Sequence, residues 1–169
     1  MIEKLAENLA VPAGSHVLDA GCGEGSVAIY LAKKYQLNIT GIDLLDFNIS
    51  NAESSRIKLG LNDQVTFKLA DYSKTGFPNS SFDAIYTMET LVHAPNYKET
   101  IKEFHRLLKP GGKLVLFEYS MAPDGEIPAE AKQAFSKVNQ LSSRTQLFFK
   151  LNSASSYLLS GSILIVEYP

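Results

Sequence analysis

Short apolar runs alternate with helix-like segments over the first 119 residues, and this alternation limits the chain to very few folds. The apolar runs are residues 16–21, 38–43, 65–71, 82–89 and 113–119. Helical spacing of apolar residues or helix end signals mark residues 2–10, 26–35, 48–59 and 97–108. Short connections between alternating elements favour parallel strands with helices on both faces of one sheet. The pattern therefore predicts a doubly wound, mostly parallel α/β fold.

The C-terminal part of the chain fits this pattern less well. Residues 121–150 are typical of a linker followed by a capping helix, which carries Phe148 and Phe149 near its end. Beyond it, only the apolar run around residues 163–166 indicates a further strand. We therefore expect an incomplete set of C-terminal strands.

These segments predict a single domain over residues 1–169. In this interpretation, residues 121–150 are the linker and helical cap, and residues 151–169 are an atypical C-terminal end. An uncovered fifth strand would leave an apolar edge that invites pairing with another chain, so a homodimer is one hypothesis.

Composition and charge exclude several classes of function. The chain has a net charge of -2 and a pI of about 5.9, so it lacks the basic surface that nucleic acids require. No apolar stretch reaches the roughly 20 residues of a membrane span, and the N-terminus lacks the apolar core of a secretory signal. The single cysteine, Cys22, permits no internal disulfide and no zinc cluster. We expect a cytoplasmic protein without a metal site.

Glycines follow the first predicted strand at every second position, as Gly21, Gly23 and Gly25. Glycine is costly in conformational entropy, so this density indicates a turn where the backbone comes close to another group. Parallel sheets bind ligands at the carboxyl ends of their strands, which is where this turn lies. The spacing is G-x-G-x-G, whereas dinucleotide sites use G-x-G-x-x-G. Asp19 precedes the turn, and its charge suits an ammonium or sulfonium group better than a pyrophosphate.

Acidic residues also end the second and third predicted strands, at Asp43 and Asp71. Together with Asp19 and the glycine turn, they resemble the first motifs of the class I S-adenosylmethionine-dependent methyltransferases. Residues 81–95 and 103–118 resemble the fourth-strand and fifth-strand motifs of the same family, in the same order. The resemblance implies a Rossmann-like methyltransferase fold, S-adenosylmethionine as the cofactor and a small-molecule acceptor.

The resemblance also implies individual roles in the cofactor site. Asp43 would accept hydrogen bonds from the ribose hydroxyls, and Asp71 with Tyr72 would face the adenine. The two acids also have a structural alternative, because aspartate commonly caps helices and turns. Cys22 is best interpreted as a small residue in a crowded turn. The full set of implied cofactor-binding residues is Asp19, Gly21, Cys22, Gly23, Asp43, Leu44, Asp71, Tyr72 and Glu89.

Within the family, the segment METLVHAP at residues 88–95 resembles the sterol C-24 methyltransferase branch. This narrower resemblance implies a lipophilic acceptor, sterol-like or another isoprenoid, with Glu89 and His93 as catalytic residues. An alkene acceptor would form a carbocation, which the carboxylate and the aromatic faces of Tyr86 and Tyr119 would stabilise. An oxygen or nitrogen acceptor would instead need a base, for which His93 is the natural candidate. Glu89 and His93 also have a structural alternative, as a helix-start acid and a loop residue.

Two other functions fit the same sequence. A domain with a cofactor pocket but a short C-terminal end would bind the cofactor without turnover. A nicotinamide-dependent oxidoreductase also has a glycine turn after its first strand, although the glycine spacing and Asp19 argue against one. A lipophilic acceptor would bring a cytoplasmic enzyme to a membrane surface, but the sequence shows no basic anchor. The acceptor and the atom methylated stay open.

Overall fold

The computed structural model describes residues 1–119, 147–151 and 161–167. Its α-helices are α1 (Ile2–Leu9), α2 (Ser26–Tyr35), α3 (Asp46–Lys58) and α4 (Tyr97–Leu107), and a short 3-10 helix spans Leu91–His93. Its strands are β1 (His16–Ala20), β2 (Asn38–Asp43), β3 (Val65–Leu69), β4 (Phe82–Met88), β5 (Leu108–Tyr119), β6 (Leu147–Leu151) and β7 (Gly161–Glu167). Up to α4, every element bound lies within two residues of its predicted position.

Strand β5 begins earlier than predicted because Leu108 already pairs with Phe82 of β4. The register then jumps to the pair Ala84 and Lys113. The jump leaves residues 109–112, which have the sequence KPGG, out of step with β4. These residues therefore form an irregularity within a longer strand.

In the described part of the chain, seven strands form one sheet in the order β3-β2-β1-β4-β5-β7-β6. The first five of these strands are parallel, whereas β7 is antiparallel to both β5 and β6. This arrangement confirms the predicted doubly wound, mostly parallel fold. The strand order reverses between β1 and β4, so the connections after these two strands leave in opposite directions. Open α/β sheets form their ligand crevice at this kind of position.

The C-terminal strands correct two expectations. Leu147–Leu151 form strand β6, whereas the sequence pattern assigns Phe148 and Phe149 to a capping helix. The apolar residues before β6 have helical spacing, so the local sequence does not indicate a strand here. Only pairing with β7, which lies further along the chain, shows it. The described sheet therefore has two C-terminal strands where the sequence predicts an incomplete set.

Strand β7 also covers the edge of β5 from Lys113 to Tyr119. The homodimer hypothesis assumes that this edge is open. Because β7 covers it, the structure gives no reason to expect a dimer through β5. Residues 120–146 and 152–160 lie outside the described residues, and so do the predicted linker and most of the predicted cap. The interpretation of the chain as a single domain stays a prediction.

The hydrophobic core has two layers, one on each face of the sheet. Alternation along β1 sends Val17 to one layer and Leu18 to the other. Strand β4 does the same with Tyr86 and Ile85, and all four side chains are fully buried. Because both faces are covered, the carboxyl edge of the strands is where a ligand reaches the sheet.

Helix α1 packs Leu5 and Leu9 into the first of these layers. On its outer side, the Glu3 carboxylate accepts hydrogen bonds from Tyr30, Lys34 and Tyr35. These contacts attach α1 to α2, the helix that follows the glycine turn. Within the described residues, no helix has the length and apolar character needed to cross a bilayer.

Candidate active site

A cavity of about 650 Å³ opens at the carboxyl edge of the sheet, beside the point where strand order reverses. Cavities of this size are typical of small-molecule sites. The structure brings the whole predicted cofactor set, together with His93, to this one cavity. They are Asp19, Gly21, Cys22, Gly23, Asp43, Leu44, Asp71, Tyr72, Glu89 and His93.

The glycine turn is held against the end of β2 by its own backbone amides. The amides of Gly21 and Cys22 both donate to the Ile42 carbonyl, each at 2.9 Å. The amide of Gly23 donates to Asp43 Oδ2, also at 2.9 Å. A pyrophosphate site presents free amides at this position. Because these three amides are used within the protein, the geometry argues against a dinucleotide.

The glycines of the turn are needed for different reasons. A Cβ atom on Gly21 would lie 2.0 Å from Thr90 Cγ2, and one on Gly25 would lie 2.4 Å from Phe67 Cζ. A Cβ atom on Gly23 would meet no atom of the described residues within 4 Å, although Gly23 lines the cavity. Two glycines therefore allow close packing of the protein, and Gly23 leaves space for a ligand.

Asp19 lies almost completely buried in the cavity wall, with 2% of its surface exposed. The buried Tyr86 hydroxyl donates a hydrogen bond of 2.7 Å to Asp19 Oδ2. Burial raises the pKa of Asp19 to about 7. The nearby charge of Asp43 adds to this rise, whereas the hydrogen bond from Tyr86 opposes it. Tyr86 is fully buried and holds Asp19, which corrects its predicted role as an aromatic wall for a carbocation.

Cys22 is buried in the turn, as its interpretation as a small residue in a crowded turn requires. Its Cβ atom lies 3.0 Å from the position that a Cβ atom on Gly41 would take. Burial raises the pKa of the Cys22 thiol well above its usual value, and the charges of Asp19 and Asp43 add to the rise. The thiol is therefore protonated at neutral pH, and it is not a nucleophile.

Asp43 is oriented at the end of β2 by hydrogen bonds on both carboxylate oxygens. Oδ2 accepts from Gly23, while Oδ1 accepts from the Leu45 amide at 2.9 Å and from Asn48 Nδ2 at 3.2 Å. These bonds hold the turn that leads into α3, but Asp43 does not cap the helix itself, since the helix has Leu45 at its N-cap and no side-chain cap. They do not exclude ligand binding. Each carboxylate oxygen accepts more than one hydrogen bond. Next to it, Leu44 is 62% exposed and forms an apolar part of the wall.

Asp71 and Tyr72 follow β3 and complete this side of the cavity. Asp71 Oδ1 accepts from the Ser73 amide at 2.7 Å, so this acid also caps a turn. The Tyr72 side chain is 6% exposed, and its ring lies 6.2 Å from that of Phe104 in α4. Its hydroxyl is within 3.4 Å of the Thr90 carbonyl. The pair is therefore fixed between α4 and the turn after β4.

The loop after β3 is held by a clamp of two α4 residues that the sequence analysis did not identify. Glu103 and Arg106 form a two-pronged ion pair, with nitrogen–oxygen distances of 2.8 Å and 2.7 Å. Glu103 Oε1 also accepts from the amide and the hydroxyl of Thr75, at 2.9 Å and 2.7 Å. Arg106 Nη1 donates to the Phe77 carbonyl at 2.7 Å. We call Glu103 and Arg106 the loop clamp.

The hydrogen bond from Arg106 lowers the pKa of Glu103 to about 2, and the bonds from Thr75 contribute. Glu103 therefore stays ionised under all ordinary conditions. Because Asp71 and Tyr72 begin the clamped loop, the clamp positions them from outside the cavity. The only sequence signal was the i,i+3 spacing of opposite charges on α4, which is common on exposed helices.

Glu89 and His93 lie in the turn and the 3-10 helix after β4, and both side chains are exposed at the cavity. Glu89 has a φ of 57°, and its amide donates to the Phe117 carbonyl at 2.8 Å. This left-handed backbone is costly for a residue other than glycine and is typical of functional sites. The His93 amide donates to the Thr90 carbonyl at 3.0 Å, which closes the 3-10 helix.

The cavity wall has a strongly acidic character. Four carboxylates line it, those of Asp19, Asp43, Asp71 and Glu89. No lysine or arginine lines it in the part of the chain that the structure describes. The wall is therefore matched to a ligand with positive charge and several hydroxyl or amine donors, as an adenosyl sulfonium has.

Comparison with known proteins agrees with this geometry. A family model described as a methyltransferase domain matches residues 18–116. The S-adenosyl-L-methionine-dependent Diels-Alderase iccD of Talaromyces variabilis is 41% identical over 128 residues, which are 75% of this chain and 44% of that protein. Sterol 24-C-methyltransferase ERG6B of Gibberella zeae is 38% identical over 117 residues, which are 69% of this chain and 31% of that protein. The chain thus spans less than half the length of these relatives.

Solved structures share the fold. The 4+2 cyclase SpnF superposes with a TM-score of 0.85 at 21% identity, covering 99% of this chain and 80% of that chain. Geranyl diphosphate C-methyltransferase of Streptomyces coelicolor gives a TM-score of 0.76 at 16% identity, covering 98% and 75%. At these low sequence identities, the structural similarity shows only a shared fold. The family match is separate evidence, because it is a sequence match over more than half of the chain. The chain therefore belongs to the methyltransferase domain family, whose cofactor is S-adenosylmethionine.

Proposed function

We propose that this protein transfers a methyl group from S-adenosylmethionine to a small lipophilic acceptor, sterol-like or another isoprenoid. One observation carries the proposal. Three acids from the ends of adjacent strands, Asp19, Asp43 and Asp71, converge on a cavity whose wall also holds Glu89 and His93. The first three are suited to the cofactor, and the last two are suited to the acceptor.

The residues of the wall fit the cofactor in distinct ways. Asp43 would accept hydrogen bonds from the ribose hydroxyls, and Asp71 with Tyr72 would hold the adenine. Gly23 leaves open space beside Asp19, which would face the positively charged amino-acid end. When bound, S-adenosylmethionine supplies an electrophilic methyl group. The protein's own contribution is then to hold the acceptor in near-attack geometry and to exclude water.

The acceptor side of the cavity supports a molecule without negative charge. Four carboxylates and the absence of a described lysine or arginine in the wall disfavour a phosphate or carboxylate acceptor. Leu44 and Leu45 are about 60% exposed at the same cavity, at 62% and 61%, and offer an apolar surface. The sequence identity to sterol 24-C-methyltransferase ERG6B is independent support for a lipophilic acceptor.

Two roles are available to the acceptor-side residues. With an alkene acceptor, the Glu89 carboxylate would stabilise the positive charge that develops on the substrate carbon. With an oxygen or nitrogen acceptor, His93 would accept the proton that the acceptor loses. Both side chains are exposed at the cavity, so either role is sterically open. Tyr119, the other aromatic residue predicted here, ends β5, and its part in the reaction stays a prediction.

A second function follows from the names of two similar proteins. Both iccD and SpnF are named as cyclases of the Diels–Alder type, although the fold is that of a methyltransferase. A 4+2 cyclisation joins a diene and an alkene through two new carbon–carbon bonds, with no atom lost and no protein nucleophile needed. A shaped apolar cavity beside a bound cofactor is enough for such a reaction. We therefore keep cyclisation as the second candidate.

One experiment separates these functions. The purified protein would be incubated with S-adenosylmethionine and a panel of sterols, linear isoprenoids and polyenes, and the products would be analysed by mass spectrometry. Methyl transfer adds one methylene unit to the acceptor and forms S-adenosylhomocysteine, whereas cyclisation changes retention without changing mass. Cofactor binding in calorimetry without either product would favour a binding domain that lacks turnover. A folded protein that binds no cofactor would overturn the proposal.

A further inference from the structure

Asp19 occupies an unusual position for a carboxylate that takes part in ligand binding. Only 2% of its surface is exposed, and the cavity is the face on which it meets a ligand. Its Oδ2 atom accepts a 2.7 Å hydrogen bond from Tyr86, a residue of β4 that is fully buried. The carboxyl group is therefore fixed before any ligand arrives.

Among the described residues, the groups around Asp19 do not offer it a positive charge. Tyr86 faces it from β4, Asp43 from the end of β2, and Cys22 from the glycine turn. Further along the wall lie Asp71, Glu89 and His93, of which only the histidine can become cationic. Burial raises the pKa of Asp19 to about 7, with a further rise from Asp43. An ionised carboxylate in such a place is costly unless it is paired.

We propose that Asp19 holds a proton in the ligand-free site, and that a cationic ligand group displaces this proton, while Tyr86 keeps the carboxyl group in position. This inference rests on the proposed function, because it takes the ligand to be an adenosyl amino acid. The step balances in charge: the neutral acid becomes a carboxylate, the proton passes to solvent, and the positive ligand group takes its place. Tyr86 is a positioning residue, since it acts through Asp19.

The hydrogen bond from Tyr86 determines which oxygen is free for the exchange. It occupies Oδ2, which leaves Oδ1 to carry the proton first and to meet the ligand afterwards. The site would therefore favour a positively charged ligand, because a neutral group forms no ion pair with the carboxylate when the proton leaves. Affinity for a cationic ligand would also depend on pH, since at low pH a larger fraction of Asp19 holds the proton that the ligand must displace.

The test is calorimetric titration of S-adenosylhomocysteine at pH 6, 7 and 8, each in two buffers of different ionisation enthalpy. This ligand carries the ammonium group and is stable. We expect affinity about tenfold weaker at pH 6 than at pH 8, with about one proton released per ligand at pH 6 and almost none at pH 8. Methylthioadenosine, which has the nucleoside but no cationic group, should bind without releasing a proton.

Variants separate Asp19 from the other titrating groups. Asp19→Asn should abolish proton release and the pH dependence, because it leaves the other groups of the cavity wall unchanged. Tyr86→Phe should keep proton release but move its midpoint to higher pH, because the hydrogen bond that favours the carboxylate is lost. Proton release that persists in Asp19→Asn, or binding at pH 6 without proton release, would overturn the inference.

A ligand-free measurement keeps this inference distinguishable from the proposed function. Carboxyl carbon NMR of the protein alone should show Asp19 titrating near pH 7, and at still higher pH in Tyr86→Phe. A midpoint below pH 5 would overturn the inference whether or not a ligand binds. Failure of S-adenosylhomocysteine to bind at any pH, with a midpoint near 7, would instead overturn the proposed cofactor function and with it the assigned ligand.

Discussion

The Thr90 side chain fills the space in which a side chain at Gly21 would lie, with Thr90 Cγ2 only 2.0 Å from that Cβ position. Thr90 Oγ1 also donates to the Gly21 carbonyl at 3.2 Å and lies 3.0 Å from the Met88 carbonyl. The turn after β1 and the turn after β4 are thus packed directly on each other. The cofactor side and the acceptor side of the cavity are built on this contact.

Replacing Gly21 by alanine should therefore disrupt the fold itself. The new methyl group overlaps Thr90, and the φ of +91° adds backbone strain. We expect Gly21→Ala to lower the free energy of unfolding by roughly 3 kcal/mol or more. Urea denaturation of the ligand-free protein would measure it.

Gly14→Ala is the matched control for this experiment. Gly14 has a similar φ of +82°, but no atom lies within 4 Å of the position that its Cβ atom would take. This variant should lose only the stability that a left-handed backbone costs a residue with a Cβ atom, about 1–2 kcal/mol. Equal losses in the two variants would show that the contact with Thr90 does not matter.

Gly23→Ala should differ from Gly21→Ala, because it should leave the fold nearly intact and weaken ligand binding instead. Its added methyl group meets no protein atom within 4 Å, but it projects from a residue of the cavity wall. If the cofactor fills this space, overpacking by about 1–3 kcal/mol would reduce affinity roughly 5- to 150-fold. Calorimetry with S-adenosylhomocysteine would measure the loss.

Gly60→Ala provides the control for Gly23→Ala. Gly60 lies after α3, has a φ of +67° and also leaves open space at its Cβ position. We expect both variants to lose about 1–2 kcal/mol of stability and only Gly23→Ala to lose affinity. Wild-type affinity in Gly23→Ala would mean that the ligand does not approach the turn at this residue.

The glycine turn illustrates how far sequence reasoning reached. The spacing of Gly21, Gly23 and Gly25 was enough to predict the turn and its place at the sheet edge. The ligand class came from the resemblance of this turn, with Asp19 and Asp43, to the methyltransferase motifs. The spacing did not separate the glycines, because the atoms that crowd two of them belong to residues far along the chain. The requirement for glycine at residue 21 comes from a contact across 69 residues.

The misassigned elements have the same physical origin. Phe148 and Phe149 continue a helical spacing, and only pairing with β7 shows that they belong to a strand. Tyr86 lies near the end of β4, where an aromatic ring could equally face a substrate or the core. Its burial and its bond to Asp19 follow from packing against β1, which the local pattern does not contain.

The raised pKa of Asp19 predicts an inverse relation between stability and pH. The native pKa, about 7, lies above the ordinary aspartate value of 3.8, so between these two pH values the folded protein binds one proton more than the unfolded chain. The contribution of Asp19 to the free energy of unfolding should therefore fall as pH rises from about 4 to 7 and then level off.

Asp19→Asn should remove this fall, because a neutral amide takes the place of the acid. The variant should match the wild type near pH 4 and exceed it at pH 8, by at most roughly 4 kcal/mol at 1.36 kcal/mol per pKa unit. Thermal or urea denaturation of ligand-free protein at the two pH values measures this difference. A stability difference that is the same at pH 4 and pH 8 would contradict the assignment.

The loop clamp gives a last prediction that separates positioning from direct contact. Glu103→Gln keeps the shape of the side chain but removes the charge that pairs with Arg106. We expect a loss of about 1–3 kcal/mol of stability at pH 7, as for hydrogen bonds to a charged group. The native pKa of Glu103, about 2, lies below the ordinary glutamate value of 4.5. The stabilisation is therefore present above about pH 4.5 and declines as pH falls toward 2.

The clamp should also affect binding, although neither of its residues lines the cavity. Because the clamped loop begins at Asp71 and Tyr72, Glu103→Gln should weaken methylthioadenosine binding several-fold. This ligand lacks the amino-acid end, so the loss reports on the nucleoside part of the site. Glu99→Gln on the same helix is the control, since Glu99 forms an exposed ion pair with Lys102. Exposed pairs contribute about 0–1 kcal/mol, so this variant should change neither stability nor affinity measurably. If Glu103→Gln lost stability but bound methylthioadenosine like the wild type, the clamp would hold the loop without positioning the adenine residues.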